Sequence, residues 1–214
     1  LQNIKWKVSD GTEIIKNINL EIPSGKLVVI TGPNGGGKTS LAKLIAGLEE
    51  PTSGNIILDG EDITSLDITE RANKGISYAF QQPVRFKGIT VRDLLELAAG
   101  KKIEEKEICS LLGKVGLCTR DYIDREVNSS LSGGEIKRIE IATVLARNTK
   151  LTIFDEPEAG IDLWSFNELI DAFVEIKENY AGTLLIISHQ ERILNIADEI
   201  VVIANGVVKN IGKK

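Results

Sequence analysis

The sequence of 214 residues predicts an α/β protein with a parallel central sheet, an antiparallel β-subdomain and an inserted helical subdomain. Three observations carry this expectation. Leu27–Ile30, Leu151–Phe154 and Leu184–Ile187 are apolar nearly throughout, as strands covered on both faces of a parallel sheet are. The segments between them follow helical spacing. The opening stretch instead alternates apolar and polar residues, the pattern of half-buried antiparallel strands.

Taken in order, Ile4, Trp6 and Val8 share one face of a first strand, and Ile18, Leu20 and Ile22 share a face of a second. Leu27–Ile30 is the first central strand, and Ser40–Ala46 follows as a helix. Asn55-Ile56-Ile57-Leu58 reads as another strand, ending in the turn Asp59-Gly60. Residues 90–130 are rich in Leu, Glu and Lys, with helical apolar spacing such as Leu94, Leu95, Leu97 and Ala98. They form the body of the helical subdomain, set at about residues 84–148 inside one domain spanning 1–214. Pro83 and Gly88 punctuate its start, so it is not one continuous helix. Glu199–Ile203 and Val207–Ile211 pair around the turn Asn205-Gly206.

Apolar residues make up 42% of the chain, enough for a sizeable core. The net charge of −5 argues against a protein that coats nucleic acid, which would be basic, so no direct nucleic-acid partner is expected. Cys109 and Cys118 are the only cysteines. They imply no disulfide framework and are expected to be buried thiols in a reducing cytosol. Two cysteines alone lack the further ligands of a zinc or iron–sulfur site. No apolar run approaches the ~18–20 residues of a membrane span, and no signal peptide opens the chain. A soluble, cytoplasmic protein is expected.

The most informative segment is Gly32-Pro33-Asn34-Gly35-Gly36-Gly37-Lys38-Thr39. It fits the phosphate-binding pattern G-x-x-x-x-G-K-[ST] between an apolar strand and a helix. Its glycines let the backbone fold into a concave nest of N–H donors, and the helix after it turns its positive end toward the same anion. Lys38 reaches the β- and γ-phosphates, and the Thr39 hydroxyl ligates Mg²⁺. Ser40 completes the run of nucleotide-binding residues. The expected ligands are ATP and Mg²⁺.

Leu151–Phe154 ends in Asp155-Glu156, two carboxylates at the end of a central strand, where open α/β sheets place their ligand-binding residues. Asp155 is placed in the Mg²⁺ shell. Glu156 is placed to polarise a water for in-line attack on the γ-phosphate. Leu131-Ser132-Gly133-Gly134-Glu135 reads in two ways. Ser-x-x-Glu before an apolar run is a capping box, while consecutive glycines at a helix start let a phosphate approach the backbone closely.

The order of phosphate loop, Gln81, Leu131–Glu135, Asp155-Glu156, Asp162 and His189 resembles an ABC-type ATPase domain over essentially the whole chain. The resemblance implies a P-loop ATPase fold and an ATP-dependent head-to-tail homodimer. ATP would lie between the phosphate loop of one copy and Ser132, Gly133, Gly134 and Glu135 of the other. It also implies that Gln81 senses Mg²⁺ and couples to a partner, and that Ala159-Gly160-Ile161-Asp162 crosses the dimer interface. His189, the single histidine, would contact the γ-phosphate and orient water with Glu156.

The finer pattern resembles SufC, the ATPase branch of the SUF iron–sulfur cluster assembly system. The residues are Ala79-Phe80-Gln81-Gln82-Pro83-Val84 with Gly88, the run Leu131–Ile141, Glu158–Asp162, and Ile187–Leu194. Soluble SUF scaffold subunits are the partners this implies; membrane permease subunits are the alternative. Such a partner would dock over Gln81 and the block after it, with Val84, Phe86 and Ile89 as exposed contacts. Many members of the wider family stack adenine on an aromatic near the end of the first strand. Here Val8 holds that place, and Trp6, two residues earlier, is either the platform or a core residue.

Overall fold

In chain order the elements are β1 (Gln2–Lys7), β2 (Glu13–Ile18), β3 (Leu27–Thr31), α1 (Lys38–Ala46), β4 (Ser53–Asn55), β5 (Ile57–Leu58), β6 (Glu61–Asp62), α2 (Ile68–Asn73), β7 (Ile76–Ala79), α3 (Val91–Ala99), α4 (Glu105–Lys114), α5 (Thr119–Tyr122), α6 (Gly133–Arg147), β8 (Leu151–Asp155), α7 (Leu163–Asn179), β9 (Thr183–Ile187), α8 (Glu191–Ile196), β10 (Glu199–Ala204) and β11 (Val207–Lys213). This computed structural model describes residues 1–81, 85–128 and 130–213. Gln82, Pro83 and Val84, which entered the family resemblance and the docking surface, lie outside the described residues. The chain forms two units, one of residues 1–78, 150–155 and 183 onward, the other of 79–149 and 156–182.

The first unit is built on a six-stranded sheet of order β11-β10-β3-β9-β8-β7. β3 lies between β10 and β9, parallel to both, and β8 continues the parallel run beside β9. The apolar runs are the reason: Leu27, Val28, Val29 and Ile30 are at most 1% exposed, and β8 and β9 are buried throughout. Each such side chain contributes roughly 1.5–3 kcal/mol on burial, so the continuous runs are stable only where both faces are covered. α1 packs on β8, and α8 on β3.

A second, three-stranded sheet of order β2-β1-β4 is antiparallel. Its second strand lies earlier than the alternation predicts, at Glu13–Ile18 rather than Ile18–Ile22. Irregularities in the β1–β2 register let Ile15 and Ile18, three apart, both reach full burial. Leu20 is buried from outside the strand, its N–H given to Leu1 O at 3.1 Å. Pro23 has no N–H with which to extend a ladder.

The run Asn55–Leu58 is also divided, into β4 and β5. At the break, Ile56 donates its N–H to Thr64 Oγ1 at 2.8 Å and turns its side chain into the core. Asp59 and Gly60, with φ of 50° and 83°, make the tight β5–β6 hairpin turn that needs two left-handed residues. Asn205 and Gly206 repeat this turn between β10 and β11, as the sequence predicts.

In the second unit, α3, α4 and α7 pack against α6. Val91, Leu95, Ile108, Leu112, Ile136, Ile139, Leu169 and Phe173 are buried. The α3 stripe is narrower than its leucine content suggests: Leu95 is buried while Leu97 is 70% exposed. Cys109 and Cys118 are exposed, not buried as expected. On α4 the inward stripe is Ile108, Leu111 and Leu112, and Cys109 sits one position around the helix from it. Phe86 and Ile89 are half-buried rather than exposed. The strand-like exchange of Phe86 N–H to Val127 O and Val127 N–H to Ile89 O holds their segment down. No helix among the described residues is long and apolar enough to cross a membrane.

Candidate nucleotide site

β3 delivers the chain into the phosphate loop, and the loop's glycines are set by close walls as well as by dihedrals. Gly32 has φ 139°, and a Cβ there would lie 1.9 Å from Ile203 O, so no other residue fits. Gly37 caps α1 with φ 98°. Gly36 N–H bonds Pro33 O at 3.1 Å, and Gly206 N–H bonds Gly36 O at 3.1 Å. α1 has no side-chain cap and no acidic residue in its first turn, so its leading N–H groups and its positive end face the loop unanswered. Pro33, Asn34 and Gly35 are exposed; Ser40 is half-buried.

The far end of α1 is pinned by Arg71. This side chain is 1% exposed and donates to Leu44 O, Ile45 O, Leu66 O and Thr64 O. It occupies the C-terminal carbonyls of α1, where a cation complements the helix dipole.

Lys38 is 6% exposed. Its Nζ donates to Gly32 O at 2.9 Å and Pro33 O at 3.0 Å, the carbonyls of the loop itself. Among the described residues no carboxylate pairs with it. A buried ammonium held only by neutral carbonyls is poised for an anion. Asp155, at the end of β8, is 4% exposed. Its Oδ1 accepts from Thr39 Oγ1 at 3.1 Å, and its Oδ2 from Tyr78 OH at 2.7 Å. Burial, then the bond to Asp155, raises the Tyr78 hydroxyl well above its ordinary value.

Thr39 and Asp155 therefore offer hard oxygens side by side, the donor type Mg²⁺ takes. The described residues hold no cluster of three or more His, Cys, Asp or Glu side chains. His189 is exposed just beyond β9, after the fully buried Ser188, whose Oγ accepts from Gln190 N–H at 3.0 Å. Trp6 is half-buried and packs against the core, and Val8 is half-buried.

In the second unit, Glu156 follows Asp155 with φ 46°, a left-handed conformation that costs a non-glycine residue roughly 1–3 kcal/mol. Gln81 Nε2 donates to its Oε2 at 2.7 Å. Ser132 caps α6 through a complete capping box. Its Oγ accepts from Glu135 N–H at 3.2 Å, and Glu135 Oε2 accepts from Ser132 N–H at 2.6 Å. Tyr122 OH donates to Glu135 Oε1, with Arg125 3.7 Å from the same oxygen and 5.1 Å above the Tyr122 ring. Burial alone would raise the Glu135 carboxyl; hydrogen bonds from Tyr122 and Ser132, with Arg125 nearby, outweigh it and leave it below its ordinary value.

The paired glycines have a packing role that sequence reasoning did not supply. A Cβ on Gly134 would lie 2.3 Å from Ser165 Cβ, and one on Gly133 3.1 Å from Gly160 O. Asp162 caps α7, accepting from Trp164 N–H and Ser165 N–H at 3.0 Å and from Ser165 Oγ at 2.7 Å. Those bonds, the Ser165 N–H first, hold its carboxyl below the ordinary value.

Two further residues were not singled out in the sequence. Tyr78 has its hydroxyl on Asp155. Lys137, which entered only within the run Leu131–Ile141, is 2% exposed and donates to Phe80 O and, at 3.1 Å, to Glu140. Their positions relative to Gln81 and Ser132 were the available signals, and both are weak.

The ABC transporter family model matches residues 15–159. The uncharacterized ABC transporter ATP-binding protein MJ0035 of Methanocaldococcus jannaschii is 41% identical over 204 residues, which cover 92% of this chain and 81% of that protein. The sulfate/thiosulfate import ATP-binding protein CysA of Synechocystis sp. is 35% identical over 223 residues, 99% of this chain but 59% of that protein. This chain thus spans under two thirds of CysA. Among solved structures, the dimeric post-hydrolysis state of the ATP-binding cassette MJ0796, bound to ADP and Pi, superposes with a TM-score of 0.85 at 25% identity. That match covers 100% of this chain and 97% of the cassette.

Proposed function

The chain belongs to the ABC transporter family, and on that premise we propose that it is the motor subunit of a transporter-type complex, working as a head-to-tail pair of copies on membrane permease subunits. It is an ATP-binding protein and an ATPase. The observation that carries the site is the buried Lys38 ammonium, bonded among the described residues to loop carbonyls alone, at the start of an uncapped helix. In this reading the free backbone N–H groups between Asn34 and Ser40 cradle the phosphates, and Lys38 gives charge-assisted hydrogen bonds to the β- and γ-phosphoryl oxygens.

Thr39 and Asp155 would hold Mg²⁺, the cation that the family resemblance also assigns to Gln81. The cation, when bound, offsets charge on the phosphate oxygens. Glu156 takes the proton of the attacking water, and His189 donates an N–H toward the γ-phosphate. Ser132, Gly133, Gly134 and Glu135 present the start of α6 to the nucleotide of the partner copy, and Asp162 lies in the segment that faces it. That the cassette MJ0796 is dimeric supports the pairing, and the import role named for CysA supports transport.

A second reading is a SufC-like ATPase acting on soluble iron–sulfur scaffold subunits. It is favoured by the sequence of the segments 79–84, 131–141, 158–162 and 187–194. Native fractionation separates the two. The transport reading expects a complex that sediments with membranes and needs detergent for release. A complex recovered intact from the soluble fraction would replace it with the scaffold reading.

A further inference from the structure

We propose that Tyr78 is a positioning residue for the metal-binding carboxylate of the ATPase site. The inference rests on the assignment of Asp155 to Mg²⁺ made above.

Asp155 has two oxygens and, among the described residues, a neutral donor on each. Thr39 Oγ1, from the first turn of α1, reaches Oδ1 at 3.1 Å. Tyr78 OH, from β7, reaches Oδ2 at 2.7 Å. The carboxylate is thereby fixed between a helix on one side and a strand on the other. The terminal torsion of an aspartate is broad and roughly two-fold, so without the second donor its plane is poorly determined. With it, one oxygen is turned toward the Thr39 hydroxyl, the partner expected to share the cation.

Thr39 can donate its proton to Oδ1 and still offer a lone pair to a metal, because a hydroxyl is donor and acceptor at once. Tyr78 leaves lone pairs on Oδ2 but fixes their direction. The tyrosine ring is itself anchored, half-buried against the core cluster of the first unit. Outer hydrogen bonds of this kind orient a ligating carboxylate, and their loss typically costs 10–100-fold in metal affinity.

The test measures fluorescent ATP-analogue affinity with Mg²⁺ and with EDTA, for the wild-type chain, Tyr78→Phe, Asp155→Ala and the double variant. The wild type is expected to bind more tightly with Mg²⁺. In Tyr78→Phe that metal-dependent gain should fall about tenfold, with affinity in EDTA unchanged, while the metal-free melting temperature should fall because Asp155 Oδ2 loses its donor. In the Asp155→Ala background, Tyr78→Phe should change nothing further. An undiminished metal-dependent gain in Tyr78→Phe overturns the proposal, as does an equal loss with and without metal, or a loss that persists when Asp155 is absent. A wild type with no metal-dependent gain removes the Mg²⁺ assignment itself, and the proposal with it.

Discussion

Gln81 donates from Nε2 to Glu156 Oε2 at 2.7 Å, joining the residue assigned to sense the cation to the residue assigned to activate water. The bond holds an oxygen of Glu156 on a backbone already forced to φ 46°. Glu156→Gln should keep ATP binding and lower phosphate release by about 10²-fold or more, since an amide takes no proton from water. Single-turnover phosphate release beside analogue binding checks this, and a wild-type rate would remove Glu156 from the chemistry. The same variant should pair in ATP, which ultracentrifugation with and without nucleotide reads as a change in mass.

Lys38→Ala removes the one ammonium lodged in the phosphate loop. A charged hydrogen bond contributes about 1.5–3 kcal/mol, so nucleotide affinity should fall roughly 10- to 100-fold. Equilibrium binding at constant ionic strength measures it. The variant should still fold, because what it loses in the free protein is bonds to Gly32 O and Pro33 O.

His189→Ala should lower kcat more than it raises KM. The exposed imidazole is assigned a contact that tightens as charge develops on the γ-phosphate, and such a contact lowers the barrier without matching ground-state binding. A loss confined to KM would make His189 a binding residue only.

Gly134→Ala should destabilise the chain by about 1–3 kcal/mol, the usual cost of forcing a methyl into a filled site. Its Cβ would meet Ser165 Cβ at 2.3 Å. Thermal melting without nucleotide reads this directly. Gly212→Ala, with open space around the Cβ, is the control that should leave the melt in place.

Glu135→Gln should show a pH signature. The Glu135 carboxyl is held below its ordinary value by Tyr122 and Ser132 against the opposing effect of burial. Its stabilisation is therefore present above the unfolded value of ~4.3 and is lost as pH falls through the lower folded value. The melting-temperature gap between wild type and Glu135→Gln should be full at neutral pH and close on acidification. A gap independent of pH would mean that the charge of Glu135 contributes nothing to the α6 cap.

The sequence displayed the central strands and the phosphate loop plainly, because continuous apolar runs and a glycine-lysine-threonine pattern have few other uses. Its errors came where tertiary contacts outweigh local pattern. The start of β2 depends on a bulged register, and the break at Ile56 depends on Thr64 taking its N–H. Neither leaves a periodic trace. Cys109 was misplaced because burial on α4 turns on a single helical step. The site was legible as a set of residue types, yet its wiring was not. That Tyr78 reaches Asp155, or that Gly134 is required by Ser165, depends on atoms far apart in the chain.

β3 obtains both of its sheet neighbours from β9 and β10, and the loop after it leans on Ile203 and Gly206. Synthesis proceeds from the N-terminus, so a ribosome has made the phosphate-binding segment long before it makes the strands that brace it. A nascent chain that stops short of Gly206 carries the nucleotide motif in full and has nothing to shape it. The nucleotide site is therefore expected to take shape only after β9, β10 and Gly206 have been made and have paired with β3 and its loop.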